Sequence, residues 1–413
     1  MLKNYILIAI AVLKRRKFFT FISLFGISFT ITIITVFAAF FDHLFSATYP
    51  DVNRDRELYT TSIVMTSEKR QNTYEGGMSA QFFTQYVSKM QSHITLAIQT
   101  DNSATYSYVN NKKLLINVKY TNGAFWEVFR FRFTEGKPYT QQQVLNGDKV
   151  IVISENTKQQ YFGDEPQVVG KYIETDNVQY RVAGVVKDVP EGLEYHYADA
   201  YLPYTHSKKG SSATFTFDGP FIGTILVDKK EDMPRVQEEY QQLVSRLPID
   251  RKLFDTAYSF AGPYFTTFTR SFVQSDSGET GINKFLTIVS IILLMLLLLP
   301  TLNLININIT RISERYSEIG IRKAFGASSA TLTVQFLVEN LLLTLFGGLL
   351  GILLSLIVIQ VLNSSNIVED LHLTMNFNVV LYSLAVCLFF GFISGVYPAW
   401  RMSRLQISQA LKS

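Results

Sequence analysis

Covalent chemistry needs a nucleophile, a base or a set of metal ligands at workable spacing, and few residues of this chain offer one. The five histidines, His43, His93, His196, His206 and His372, are scattered, and neither a His-Glu-x-x-His zinc helix nor a Gly-x-Ser-x-Gly elbow occurs. His196 and Asp199 could be imagined as a base with its orienting carboxylate; the reading adopted for His196 is a surface histidine. The nearest approach to a phosphate loop, residues 163–172, ends in Gly170-Lys171-Tyr172, with the wrong glycine spacing and no Ser or Thr after the lysine. Nothing here is built to break a covalent bond, so the expectation is a chain that is not an enzyme and holds no metal or cofactor. The single cysteine, Cys387, cannot form an intrachain disulfide.

The most patterned polar residues are charged without being catalytic. Ser313 to Ser329 is an island between two very apolar runs. Within it Glu318 and Arg322 stand four apart in the favourable acid-before-base order, and Ile312, Tyr316, Ile319 and Lys323 share a face at helical spacing. A short helix follows, ended by Gly326 in a left-handed cap, with Ser328 or Ser329 capping the next helix. Such a helix between two membrane spans is a docking handle.

The elements that must position the island are spans. Residues 18–41 carry no formal charge; at ~1.5 Å per residue they reach roughly 36 Å, enough for a core of ~30 Å. Residues 285–309, 332–362 and 379–399 qualify by the same test. Residues 1–17 are too short to cross and read as an interfacial helix ending in the Lys14–Lys17 cluster. Basic residues crowd before the first span and, as Arg401, Arg404 and Lys412, after the last, so the net charge of +4 does not point to nucleic acid. This positive-inside pattern puts both termini, the 310–331 loop and the 400–413 tail in the cytoplasm, and residues 42–284 and the 363–378 loop outside.

Close packing of the spans is expected at Gly347, Gly348 and Gly351 and again at Gly391 and Gly395, because small residues let helices approach in lipid. Pro300 can kink the second span, and Asn303, Asn306 and Asn308 form a polar seam or simply approach the inner headgroups. Glu339, a lone acid two turns into the third span, is read as structural or interfacial rather than as an ion path.

In the outer region short strands alternate with helices. Residues 62–66, 94–100, 221–227 and 256–260 read as strands, and 79–91 and 233–247 as helices, two βαβ-like pieces that could join in one ferredoxin-like split sheet. A strand at 113–120 is a further candidate. Residues 149–153, 154–162 and a hairpin over 170–189 turning at Asp176-Asn177 form an inserted lobe.

The island, Glu314-Arg315-Tyr316-Ser317-Glu318-Ile319-Gly320-Ile321-Arg322-Lys323-Ala324-Phe325-Gly326-Ala327, resembles the signature of the MacB and FtsX superfamily of ABC-transporter permeases. Gln335-Phe336-Leu337-Val338-Glu339, running on to Gly347-Gly348-Leu349-Leu350-Gly351, is similar to the family's third span, and residues 125–140 and 149–188 resemble its periplasmic core. The resemblance implies an inner-membrane protein with four transmembrane helices and a large α+β periplasmic domain, a ferredoxin-like porter lobe carrying an inserted second lobe. It implies that Glu314, Arg315, Glu318, Ile319, Gly320, Arg322, Lys323, Gly326 and Ala327 couple to a cytoplasmic ABC ATPase, which binds the ATP and Mg. Gly320 costs ~1 kcal/mol inside a helix, which suits a site where a partner's backbone comes close. No room for an ATPase is seen before Phe18 or after Ala399, so a separate motor chain is expected. The further implied partners are a second permease copy or close paralogue, a periplasmic adaptor and an outer-membrane duct. The implied function is export of an amphiphilic substrate from the periplasm; the alternatives are FtsX-like control of a cell-wall hydrolase and lipoprotein release.

Overall fold

A computed structural model describes the chain apart from residues 1, 16, 68, 70, 110–111, 209–216, 274–279, 314–319, 323, 366–372, 376, 383, 387, 390–391, 393–395 and 397–413. The fold has two units, Met1–Leu44 with Leu286–Ser413, and Phe45–Phe285.

The chain begins with helices α1 (Leu2–Arg15) and α2 (Lys17–Phe45). It continues through β1 (Glu57–Thr60), β2 (Ile63–Ser67), β3 (Asn72–Gly76), α3 (Ala80–Gln85), β4 (Ile94–Thr100), β5 (Ser103–Val109) and β6 (Lys112–Thr121). Next come α4 (Phe125–Val128), β7 (Phe133–Gly136), α5 (Gln141–Asn146), β8 (Val150–Ser154), α6 (Glu155–Phe162), β9 (Tyr172–Thr175), β10 (Val178–Val186) and β11 (Ala200–Pro203). The remaining elements are β12 (Phe221–Val227), α7 (Met233–Ser245), β13 (Thr256–Ser259), α8 (Tyr264–Phe272), α9 (Ile282–Ser313) and α10 (Ser329–Ser364).

In the second unit ten strands join in the order β1-β12-β4-β6-β11-β8-β10-β9-β5, with β7 added beside β10. Because β5 pairs with both β6 and β9, six of them close a ring, β6-β11-β8-β10-β9-β5 and back to β6. Closure removes the exposed edges that an open sheet leaves. Ile116, Val118, Ile151, Ile153, Ile173 and Val182 are buried together in one core. Alternate residues of β8 face a second core: Val150 and Val152 pack with Phe125, Trp126 and Tyr201. That two-sided burial is why β8 is apolar without alternation.

The larger core lies under β1, β4 and β12, where α3 and α7 contribute Phe82, Phe83, Val236 and Tyr240. Gly223 permits this approach, since a Cβ there would stand 2.4 Å from the Phe83 ring. A separate antiparallel sheet runs β13-β2-β3, and beyond β13 a bridge from Gly262 to Tyr59 brings that segment beside β1. The expected arrangement of a ferredoxin-like porter lobe with an inserted second lobe is therefore corrected. The hairpin at Asp176-Asn177 is present, with positive φ at both residues, but its strands are part of the closed ring and continuous with the rest.

The four-span expectation is corrected as well. Among the described residues two helices are long and apolar enough to cross a bilayer, Lys17–Phe45 and Ala330–Ser364. The apolar first half of α9, Ile282–Leu296, reaches only about 22 Å, and Phe377–Val386 about 15 Å, short of a ~30 Å core. In sequence the apolar run continues through Leu299 before Pro300 and the asparagines, the side chains of several residues after Leu296 lie outside the described residues, and so does part of 379–399.

Candidate functional site

Of the island, Ser313, Gly320 to Arg322 and Ala324 to Ser329 are described; Glu314, Arg315, Glu318, Ile319 and Lys323 lie outside the described residues, and the Glu318–Arg322 pairing with them. The last helical turn closes with Phe325 N–H donating to the Ile321 carbonyl and Ala327 N–H to that of Arg322, at 3.0 Å each. Gly326 has φ of +89°, where a side chain would be strained. Ser328 then caps α10, its hydroxyl accepting from Thr331 N–H at 3.1 Å. Ala327 is half-buried at this junction. Gly320 is buried.

Two apolar residues that sequence reasoning left out stand on the outside of this turn. Ile321 is half exposed, and Phe325, four residues on, is 89% exposed. Their signal was an apolar pair at helical spacing inside a charged segment. Arg322 points elsewhere: its Nη1 donates to Gln335 Oε1, two turns into α10, at 3.1 Å.

From there α10 lies along α2. A Cβ on Gly347 would stand 2.7 Å from the Ile27 side chain, and one on Gly351 2.8 Å from the Ser28 carbonyl, so only glycine allows this separation. Thr32 Oγ1 shares its proton between the Ser28 carbonyl of its own helix at 2.8 Å and, across the seam, the Gly351 carbonyl at 3.1 Å. Gly348 is buried beside them. Gln335, Glu339, Asn340 and Thr344 on α10 and Ser23, Ser28 and Thr35 on α2 are also buried. Asn303 lies in α9, Asn306 is exposed there, and Gly391 and Gly395 are outside the described residues.

The second unit contains a buried charge cluster that the sequence did not announce. Arg54 Nε donates to Asp51 Oδ2 at 2.6 Å, and Arg54 Nη1 donates to the Ser46 carbonyl at 3.0 Å. The guanidinium lies 4.2 Å from the centre of the Tyr264 ring. The Tyr59 hydroxyl is 2.8 Å from Asp51 Oδ2 and 2.7 Å from Glu57 Oε2. One phenol proton cannot serve two carboxylates, so a second proton is needed, and it belongs to Glu57. Burial, then the neighbouring Asp51 charge, pushes the Glu57 carboxyl up to about 10. Burial works against ionised Asp51 too, but His196, the Glu57 carboxyl and Arg54 outweigh it and hold Asp51 below its usual value.

His196 is no surface residue. It is 1% exposed, its Nε2 is 3.5 Å from Asp51 Oδ2, and its ring meets that of Phe129 edge-on at 4.5 Å. Burial brings it down to about 4, so it is neutral at ordinary pH and the charge that offsets Asp51 there is Arg54. Asp199 turns instead to Asn117, accepting from its backbone N–H at 2.7 Å. Nearby, Lys119 is fully buried, donates to the Thr100 and Glu194 carbonyls at 3.1 Å, and is brought down to about 8 by burial. Because Arg54 binds both Ser46 and Tyr264, the first and last segments of the second unit are tied at one point. No group of three or more His, Cys, Asp or Glu among the described residues is placed to hold a metal ion.

Residues 20–243 match the family described as MacB-like periplasmic core domain, and residues 290–407 the family described as FtsX-like permease C-terminal. The macrolide export ATP-binding/permease protein MacB of Pasteurella multocida (strain Pm70) is 26% identical over 302 residues, covering 73% of this chain and 44% of its own length. MacB of Escherichia coli (strain K12) is 29% identical over 251 residues, 60% of this chain and 36% of its own length. The chain thus spans less than half of these curated relatives. A solved structure of the periplasmic region of MacB from Actinobacillus actinomycetemcomitans aligns with a TM-score of 0.37 and 17% identity, over 54% of this chain and 94% of that one.

Proposed function

Since the chain belongs to the MacB/FtsX-like family of ABC-transporter permeases and carries a MacB-type periplasmic core domain, we propose that it is a permease that couples ATP hydrolysis by a cytoplasmic ABC ATPase to movement of its periplasmic unit. The observation that carries the reading is the order of the two family regions in one chain, a MacB-like core over 20–243 followed by an FtsX-like permease region over 290–407. In this reading the island around Glu314, Glu318 and Gly326 docks on the ATPase, with Ile321 and Phe325 as its apolar contacts. The α2–α10 seam carries the movement across the bilayer, and the Arg54 joint makes the periplasmic unit follow as one body.

The finer part of the proposal is export of an amphiphilic substrate from the periplasm by two permease copies, with a periplasmic adaptor and an outer-membrane duct. The name of the MacB relatives, which speaks of macrolide export, supports that class of cargo. The test begins with affinity-tagged chain isolated from its native membrane, and an ABC ATPase is expected to be recovered with it. In lipid nanodiscs the chain should stimulate that ATPase, and reversing the charges of Glu314 and Glu318 together should abolish association. Recovery of no ATPase, or normal association of the double variant, would remove the docking assignment.

A further inference from the structure

We propose that the Arg322–Gln335 hydrogen bond is the strut that passes movement of the island into α10, so that Gln335 is a positioning residue for coupling and Arg322 serves the strut. This rests on the proposed docking of the island on an ATPase.

Gln335 lies in an apolar helix long enough to cross a bilayer and is 5% exposed. A buried carboxamide is costly unless it is hydrogen-bonded. Its oxygen accepts from the Arg322 guanidinium at 3.1 Å, and a charged donor makes that bond stronger than a neutral one. The reach is possible because the chain reverses between the two residues. Gly326 takes the left-handed turn, and Ser328 starts α10 by accepting from Thr331 N–H. Gly320 and Leu332 are buried on either side of the reversal.

The turn and the first two turns of α10 therefore form a closed clasp, with Arg322 supplying a long polar arm across it. Further along, α10 is locked to α2 by Gly347, Gly351 and the Thr32 hydroxyl. A displacement of the island consequently pulls on α10 at Gln335 and reaches α2 through the glycine seam. Pinning Arg322 inward also leaves Ile321 and Phe325 as the outward pair.

The experiment uses the full chain in nanodiscs with the ATPase recovered from its native membrane, and reads association and stimulated ATP hydrolysis separately. Gln335→Leu keeps the size of the side chain and suits an apolar helix. It is expected to bind the ATPase as the parent does and to lose stimulation about tenfold, the scale of one charged hydrogen bond. Gln335→Glu, which can still accept from Arg322, should restore stimulation, a rescue that a packing role would not produce. Adding Gln335→Leu to Arg322→Ala should cost nothing more than Arg322→Ala alone. Full stimulation by Gln335→Leu would overturn the strut, as would loss of association in Arg322→Ala with Gln335→Leu unaffected, since Arg322 would then touch the ATPase directly. Failure of the unmodified chain to bind the ATPase would remove the docking reading, and the strut with it.

Discussion

Replacing Glu57 by Gln should remove a pH dependence of stability that the native chain possesses. In the fold the Glu57 carboxyl keeps its proton up to about pH 10, whereas an unfolded glutamate releases it near 4.5. The folded state therefore holds one proton more across that interval, and stability falls as pH rises through it. Two buried neighbours work the other way in their own windows. His196, brought down from 6.5 to about 4, gains stability as pH rises between those values, and Lys119, brought down from 10.5 to about 8, does so above 8. The interval from 6.5 to 8 is left to Glu57. At about 1.4 kcal/mol per pH unit for one proton, the native chain should lose roughly 2 kcal/mol there, or about 4–8 °C in Tm. Glutamine replaces a carboxyl that is already neutral, so Glu57→Gln should match the native chain only near pH 4.5 and below, already exceed it at pH 6.5, and hold its stability from there toward pH 8. Thermal unfolding of the full chain in nanodiscs, followed by the fluorescence of core residue Trp126, measures both profiles. Parallel profiles of the two proteins between pH 6.5 and 8 would refute the assignment of the proton to Glu57.

Asp51→Asn, in contrast, removes the ionised partner of a buried arginine and should cost about 3–5 kcal/mol at neutral pH, seen as a Tm lowered by about 6–20 °C. Gly351→Ala must push against Ile31 and the Ser28 carbonyl and should cost roughly 1–3 kcal/mol, while Gly26→Ala, with open space around it, should be neutral. Phe325→Asp should weaken association with the ATPase at least tenfold without changing Tm, because the side chain is 89% exposed.

Much of the membrane unit was legible because its signals are local. The lengths of α2 and α10, the Gly326 reversal and the Ser328 cap each depend on a few adjacent residues. Strands β4, β8 and β12 announced themselves through apolar runs buried on both faces. Strand β5 did not, because its pattern is inverted: Tyr106 and Tyr108 face outward and Ser107 is buried. Without β5 the closed ring could not be foreseen, since closure depends on the non-local pairing of Ser107 with Thr175. His196 was misread for a similar reason. Its sequence neighbour Asp199 suggested a local pair, but burial is decided by Asp51, Arg54 and Phe129, distant in the chain. The strut at Gln335 was equally hidden, because nothing in a helix pattern says which arginine folds back onto a buried carboxamide.

The claim on which the rest depends is that ATP bound to a partner moves the periplasmic unit. It is tested most directly by placing a spin label at the exposed Leu145, with the sole native cysteine changed as Cys387→Ser, in nanodiscs containing the recovered ATPase. The distance between labels on two copies is then measured without nucleotide, with ATP, and with ATP in the Gln335→Leu background. The account predicts a shifted distance distribution with ATP and no shift when Gln335 is lost; an unchanged distribution in the parent protein with the ATPase bound would contradict it.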